Sequence, residues 1–172
     1  MASGDPLFVI KPNNVMPTDT LGASLSSITG TSTPAERIWK LDFDDTTVEY
    51  ADFLCTMPSH YAGTTGTTFS IRWSAAQNTN NGIWSAALRR VADDAEDLDT
   101  TVHTYDYNTT GDISPANVVG ELSYDDITFL DGVDMDNVTA GDEFILRVKR
   151  PAPTGTKITG DTSIFSIYVK ET

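Results

Sequence analysis

The chain has 172 residues, with 25 Asp and Glu against 11 Lys and Arg, for a formal net charge of −14. That length lies in the usual single-domain range and is enough to bury a core without a disulfide or metal staple. The charge excludes direct binding to nucleic-acid backbones, because neutralising phosphates takes clustered basic side chains.

At the N-terminus no basic stretch precedes the short apolar patch at residues 7–10, which is too short for an export signal or a membrane span. The expectation is therefore a chain made and folded in a reducing cytosol, with no membrane partner. Pro6, Pro12, Pro17 and Pro34 punctuate residues 1–36, amid Ser, Thr, Gly and Asn. This reads as an extended arm with one short strand at 8–10, too poor in apolar surface to order on its own. Its anchors are expected to be Phe8, Val9, Ile10 and Leu21, docking on a neighbouring protein.

Regular alternation begins at residue 37, and residues 37–172 are expected to form one β-sandwich domain. Over 37–43, Trp39, Leu41 and Phe43 share a face, with Lys40 and Asp42 opposite. Residues 48–57 turn Ala51, Phe53, Cys55 and Met57 inward. Residues 67–74 do the same with Phe69, Ile71 and Trp73, and residues 83–91 with Trp84, Ala86 and Leu88. Residues 92–98 suit a short helical turn. A weak strand is expected at 102–107 and a longer one within 118–130. Residues 143–149 bury Phe144, Leu146 and Val148, and residues 163–170 bury Phe165, Ile167 and Val169.

Eight main strands, each apolar on one face and joined by several long connections, predict an all-β, two-sheet sandwich of jelly-roll type. That topology puts the strands at 48–57, 143–149, 83–91 and 102–107 in one sheet. Tyr50 and Asp52 then neighbour Arg147 and Lys149 on its outer face, as exposed cross-strand pairs or as a subunit interface.

Little in the sequence speaks for chemistry. Cys55 is the only cysteine, placed where a small buried hydrophobe belongs. His60 and His103 have no second His or Cys at ligand spacing, so neither a metal site nor a cofactor is expected. Two acidic runs, 93–99 and 131–136, space their carboxylates as calcium can accept, but 131–137 lacks the terminal Glu and glycine placement of a calcium loop, and both runs read as solvated. No nucleophile elbow, phosphate-cradling glycine loop or nucleotide fingerprint is present, so no catalytic residue is assigned and no enzyme is expected. Trp39, Trp73 and Trp84 fall on inward faces, which leaves Tyr105, Tyr107 and Tyr124 as the candidates for an exposed sugar platform.

A resemblance adds a more specific expectation. The stretches Phe43-Asp44-Asp45-Thr46-Thr47-Val48-Glu49-Tyr50 and Met57-Pro58-Ser59-His60-Tyr61-Ala62-Gly63 resemble small structural proteins of tailed bacteriophages. So do Phe69-Ser70-Ile71-Arg72-Trp73-Ser74-Ala75, Gly82-Ile83-Trp84 and the run from Ala140 to Arg150 before Gly160-Asp161-Thr162. The resemblance covers roughly residues 38–170. It implies a capsid decoration (cement) protein, a homotrimeric jelly roll on the virion surface that binds the major capsid protein and sister subunits. A fibre or tail attachment domain is the alternative within that class, and a carbohydrate-binding module is the alternative outside it.

Overall fold

The computed structural model describes residues 4–16, 18, 20–91, 102–152 and 156–172. Among them run ten strands: β1 (Pro6–Ile10), β2 (Ser24–Thr29), β3 (Arg37–Phe43), β4 (Tyr50–Thr56), β5 (Thr67–Ala75), β6 (Ser85–Val91), β7 (Asn108–Thr109), β8 (Ser123–Phe129), β9 (Glu143–Lys149) and β10 (Thr162–Glu171). All pairings between strands are antiparallel, and they form two sheets. The larger has the order β2-β3-β10-β5-β8, with β1 also paired to β10, and the smaller is β4-β9-β6-β7. The expected two-sheet sandwich is the observed fold, and the smaller sheet has the expected neighbours in β4, β9 and β6.

The core lies between the sheets. Leu41, Phe43, Phe53, Phe69, Ile71, Trp73, Phe144, Leu146 and Val148 are all fully buried in it, as their alternation predicts. Its aromatic rings meet edge to face: Phe43 and Trp84 at 5.0 Å and 79°, Phe69 and Phe129 at 5.4 Å and 82°. Such pairs contribute about 0.5–1.5 kcal/mol each beyond the area they bury. Arg150, buried at the end of β9, donates from Nη1 to the carbonyls of Phe43 and Gly160 (both 3.0 Å) and from Nη2 to that of Ile158 (2.9 Å). One guanidinium thereby ties the ends of β3 and β9 to the approach of β10.

The structure corrects several expectations. Residues 1–36 supply two strands of the sandwich itself, because β1 satisfies its backbone groups on β10 and β2 on β3. Phe8 packs against the core beside Phe144 (ring centroids 6.3 Å apart) and Ile10 is buried in it, so both serve the sandwich of their own chain. Val9 and Leu21 are exposed. Trp39 is 47 % exposed instead of buried. β3 meets β10 only through Leu41–Phe43, and its first half runs past the sandwich with β2 as its sole partner.

On β10 a bulge lies between Ile164, opposite Trp73, and Ser166, opposite Arg72. The extra residue, Phe165, shifts the alternation by one, so Ile164 enters the core in its place. The weak strand expected at 102–107 is reduced to Asn108–Thr109, and 102–107 have no ladder partner among the described residues. The helical turn expected at 92–98 falls outside the described residues.

Candidate functional site

The site is built on the outer face of the smaller sheet, where strand register sets three cross-strand rows. Tyr50, Lys149 and Ser85 form the first, Asp52, Arg147 and Ala87 the second, and Leu54, Ile145 and Arg89 the third. The four residues expected here from the sequence, Tyr50, Asp52, Arg147 and Lys149, are thus direct neighbours.

Arg147 anchors the face. Its Nε donates to Asp52 Oδ1 at 2.7 Å and its Nη2 to Asp52 Oδ2 at 2.6 Å, a bidentate pair. These bonds to the carboxylate raise the arginine's pKa, against the opposing effect of burial. A fork of this kind fixes both orientation and distance, which a single ammonium contact does not. The pair holds the guanidinium 5.6 Å from the Tyr50 ring centre and 4.1 Å from that of Tyr105.

Tyr105 and Tyr107 complete the face. They are two residues apart on the segment that leads into β7, and their rings lie close together. Their ring centres are 6.2 Å apart with planes inclined at 35°. Tyr105 lies against Arg147, and the Lys149 ammonium stands 3.5 Å from the centre of the Tyr107 ring. Cation–π contacts of this kind contribute about 0.5–2 kcal/mol each.

Small residues make room for this layer. Ser85 and Ala87 point outward by register, yet they are only 2 % and 0 % exposed. Burial lifts the Tyr107 hydroxyl pKa to about 12, and desolvation likewise lowers that of Lys149.

The tyrosine segment is clamped just beyond Tyr107. Asn108 Nδ2 donates to both carboxylate oxygens of Asp134 at 3.0 Å and to the Thr128 carbonyl at 2.8 Å. The Thr110 amide donates to the Trp84 carbonyl at 3.0 Å, and the Trp84 amide to Thr110 Oγ1 at 3.1 Å. The tyrosines thus sit on a fixed backbone, pre-placed for contact.

The other expected site residues lie elsewhere. Phe8, Val9 and Ile10 line an open cleft of about 320 Å³ with Phe53, Leu54 and Cys55, between β1 and β4. Leu21 sits outside it, and its carbonyl accepts the Tyr50 amide at 2.8 Å. The acidic residues at 131–136 are engaged within the chain: Asp131 Oδ1 accepts the Tyr61 hydroxyl, Asp134 Oδ2 the Leu130 amide, and Asp136 Oδ2 the Arg90 amide. Among the described residues no cluster of His, Cys, Asp and Glu could hold a metal ion. Ser85, Ala87 and Arg89 went unread as site residues. Their sequence signal was two small outward residues on a strand whose neighbour carries Arg147 and Lys149.

No protein-family model matches the sequence, and no curated protein matches it. Solved structures do share its fold. The CBM22-2 xylan-binding domain from Paenibacillus barcinonensis Xyn10C is 12 % identical with a TM-score of 0.51, over 96 % of this chain and 99 % of that one. A β-1,3-glucan-binding CBM6 from Bacillus halodurans is 5 % identical with a TM-score of 0.47, over 97 % and 98 % of the two chains. The C-terminal CBM6 of LamC, a marine laminarinase from Zobellia galactanivorans, gives 13 %, 0.46, 95 % and 98 %. A bacteriophage CBA120 tailspike fragment is a weaker neighbour, at a TM-score of 0.40 over 19 % of its length. The expectation of a capsid decoration protein is corrected: the xylan-binding domain that shares this fold is a carbohydrate-binding module and not a cement protein. The strands and turns behind that expectation mark a jelly-roll sandwich in general. This chain has the β-sandwich fold of a xylan-binding module.

Proposed function

We propose that this chain is a carbohydrate-binding module without catalytic activity of its own, and that it takes a polysaccharide across the outer face of β4, β9 and β6. The observation that carries this reading is the Tyr105–Tyr107 pair laid on Arg147 and Lys149. Sugar rings have apolar C–H faces and polar rims, and they suit a tyrosine face flanked by fixed donors and acceptors. Each tyrosine ring meets a cation from β9 and stays partly exposed, which leaves part of its surface for the sugar. The Asp52–Arg147 pair beneath offers hydrogen bonds at the rim without moving, since each partner already holds the other in place.

The fold shared with the xylan-binding module supports this reading at the level of architecture alone, because one sandwich hosts many functions. The argument rests on the tyrosine face.

A panel of soluble polysaccharides cast into native gels tests the proposal. The expected result is retarded migration in at least one of them, with an unrelated protein of similar charge unaffected. Unretarded migration throughout the panel, with a glycan array equally blank, overturns it.

A further inference from the structure

We propose that the glycan taken by this face is acidic, with Lys149 meeting a carboxylate or sulfate on the sugar beside Tyr107. The inference rests on the binding-module reading above and adds the class of ligand.

It starts from a local reversal of charge. The chain as a whole carries 25 acidic residues against 11 basic ones. Across the three outward rows from Tyr50–Lys149–Ser85 to Leu54–Ile145–Arg89, the balance is three cations to one carboxylate. That carboxylate, Asp52, has both oxygens engaged by Arg147. Arg89 is nearly buried.

Lys149 is different. Its register partners are Tyr50 and Ser85, neither of them acidic. Among the described residues no carboxylate pairs with its ammonium, which stands over the Tyr107 ring at 3.5 Å. Three of the other four lysines find oxygens: Lys40 reaches Asp42 at 2.6 Å, Lys157 the Asp45 carbonyl at 2.8 Å, and Lys170 Asp126 at 3.4 Å.

Burial disfavours the Lys149 charge with no carboxylate to offset it, so an arriving anion would recover electrostatic energy that the free protein forgoes. A neutral sugar would recover much less. Hydroxyl recognition is already supplied by the Asp52–Arg147 pair one row away. The net charge of −14 repels polyanions at long range. Salt screens that repulsion over about 10 Å at 0.1 M, whereas contact at a half-buried ammonium is screened much less.

The whole chain is tested by affinity electrophoresis against four probes: alginate for uronate carboxylates, a sulfated galactan for sulfate esters, and neutral xylan and β-1,3-glucan. Wild type, Lys149→Gln and Lys149→Arg are compared, with thermal melts to show that each variant folds. The expected result is tighter binding to an acidic probe than to either neutral one. Lys149→Gln then weakens that binding about tenfold, and Lys149→Arg retains it. Which acidic probe responds decides between carboxylate and sulfate. Neutral probes bound as well as acidic ones, or a Lys149→Gln variant as tight as wild type, overturns the inference and leaves the binding module standing. No binding to any probe overturns both.

Discussion

A double-mutant cycle across Asp52 and Arg147 measures how firmly the sheet presents its tyrosine face. The pair is bidentate at 2.7 and 2.6 Å, and the two side chains are only 12 % and 30 % exposed. Fully exposed ion pairs couple by about 0.2–1 kcal/mol. Charge-assisted bonds are roughly twice as strong as neutral ones, so two of them in a half-buried setting should couple by about 1–3 kcal/mol. Asp52→Ala alone costs more than that coupling, because it strands the Arg147 charge on a desolvated face. About 2–4 kcal/mol is expected, or roughly 5–15 °C in Tm for a chain of this length. Arg147→Met keeps the apolar stem and isolates the loss of the fork. Urea unfolding of wild type, both single variants and the double variant, followed by tryptophan fluorescence, gives the coupling directly. A coupling below about 0.5 kcal/mol would refute the claim that this pair fixes the face.

Three further predictions concern the frame around the site. Arg150→Met removes three hydrogen bonds and leaves the Phe43, Ile158 and Gly160 carbonyls without their guanidinium. Urea titration should show a loss of about 3 kcal/mol or more, whereas a loss under 1 kcal/mol would mean water replaces the side chain. Gly66 has φ +89°, and a Cβ there would lie 2.0 Å from the Phe129 carbonyl oxygen. Gly66→Ala should therefore cost about 2 kcal/mol or more, and an unchanged melting temperature would show that the turn before β5 can move. Burial pushes the Cys55 thiol pKa up to about 12, so at pH 8 it should react with a thiol reagent far more slowly in the native protein than in urea. Equal rates in the two states would contradict the packing around β4.

Much of the sandwich was legible because its signal is period two. β3 and β9 match their sequence readings end to end, and the inward sets of β5 and β9 are all buried. The misses occur where alternation stops being local information. The β10 bulge depends on how that strand meets β5, and no residue within 163–170 announces it. Trp39 is apolar and in phase, but what covers it depends on where β1 replaces β3 beside β10. β1 and β2 look like an arm because much of their stability comes from backbone pairing with β10 and β3, which composition does not display.

The candidate site was half legible. Register alone brought Tyr50, Asp52, Arg147 and Lys149 together once the sheet order was guessed. Tyr105 and Tyr107 could be named as platform candidates, but their place over this sheet was not legible, because Asn108 and Thr110 fix it through Asp134 and Trp84, both distant in sequence. The resemblance to phage structural proteins misled for the same reason. Its turns and strands report the sandwich, while the binding face depends on side chains that the shared pattern does not fix.

Binding itself is the most direct test of the central claim. Dissociation constants for the best-retained polysaccharide should be measured by calorimetry for wild type and for Tyr105→Ala/Tyr107→Ala, with far-ultraviolet spectra and melting curves alongside. The account predicts that the double variant folds like wild type and loses at least about tenfold in affinity, as expected when a stacking platform is removed from a small site. A folded double variant that binds as tightly as wild type would contradict it, and would move the binding site off this face.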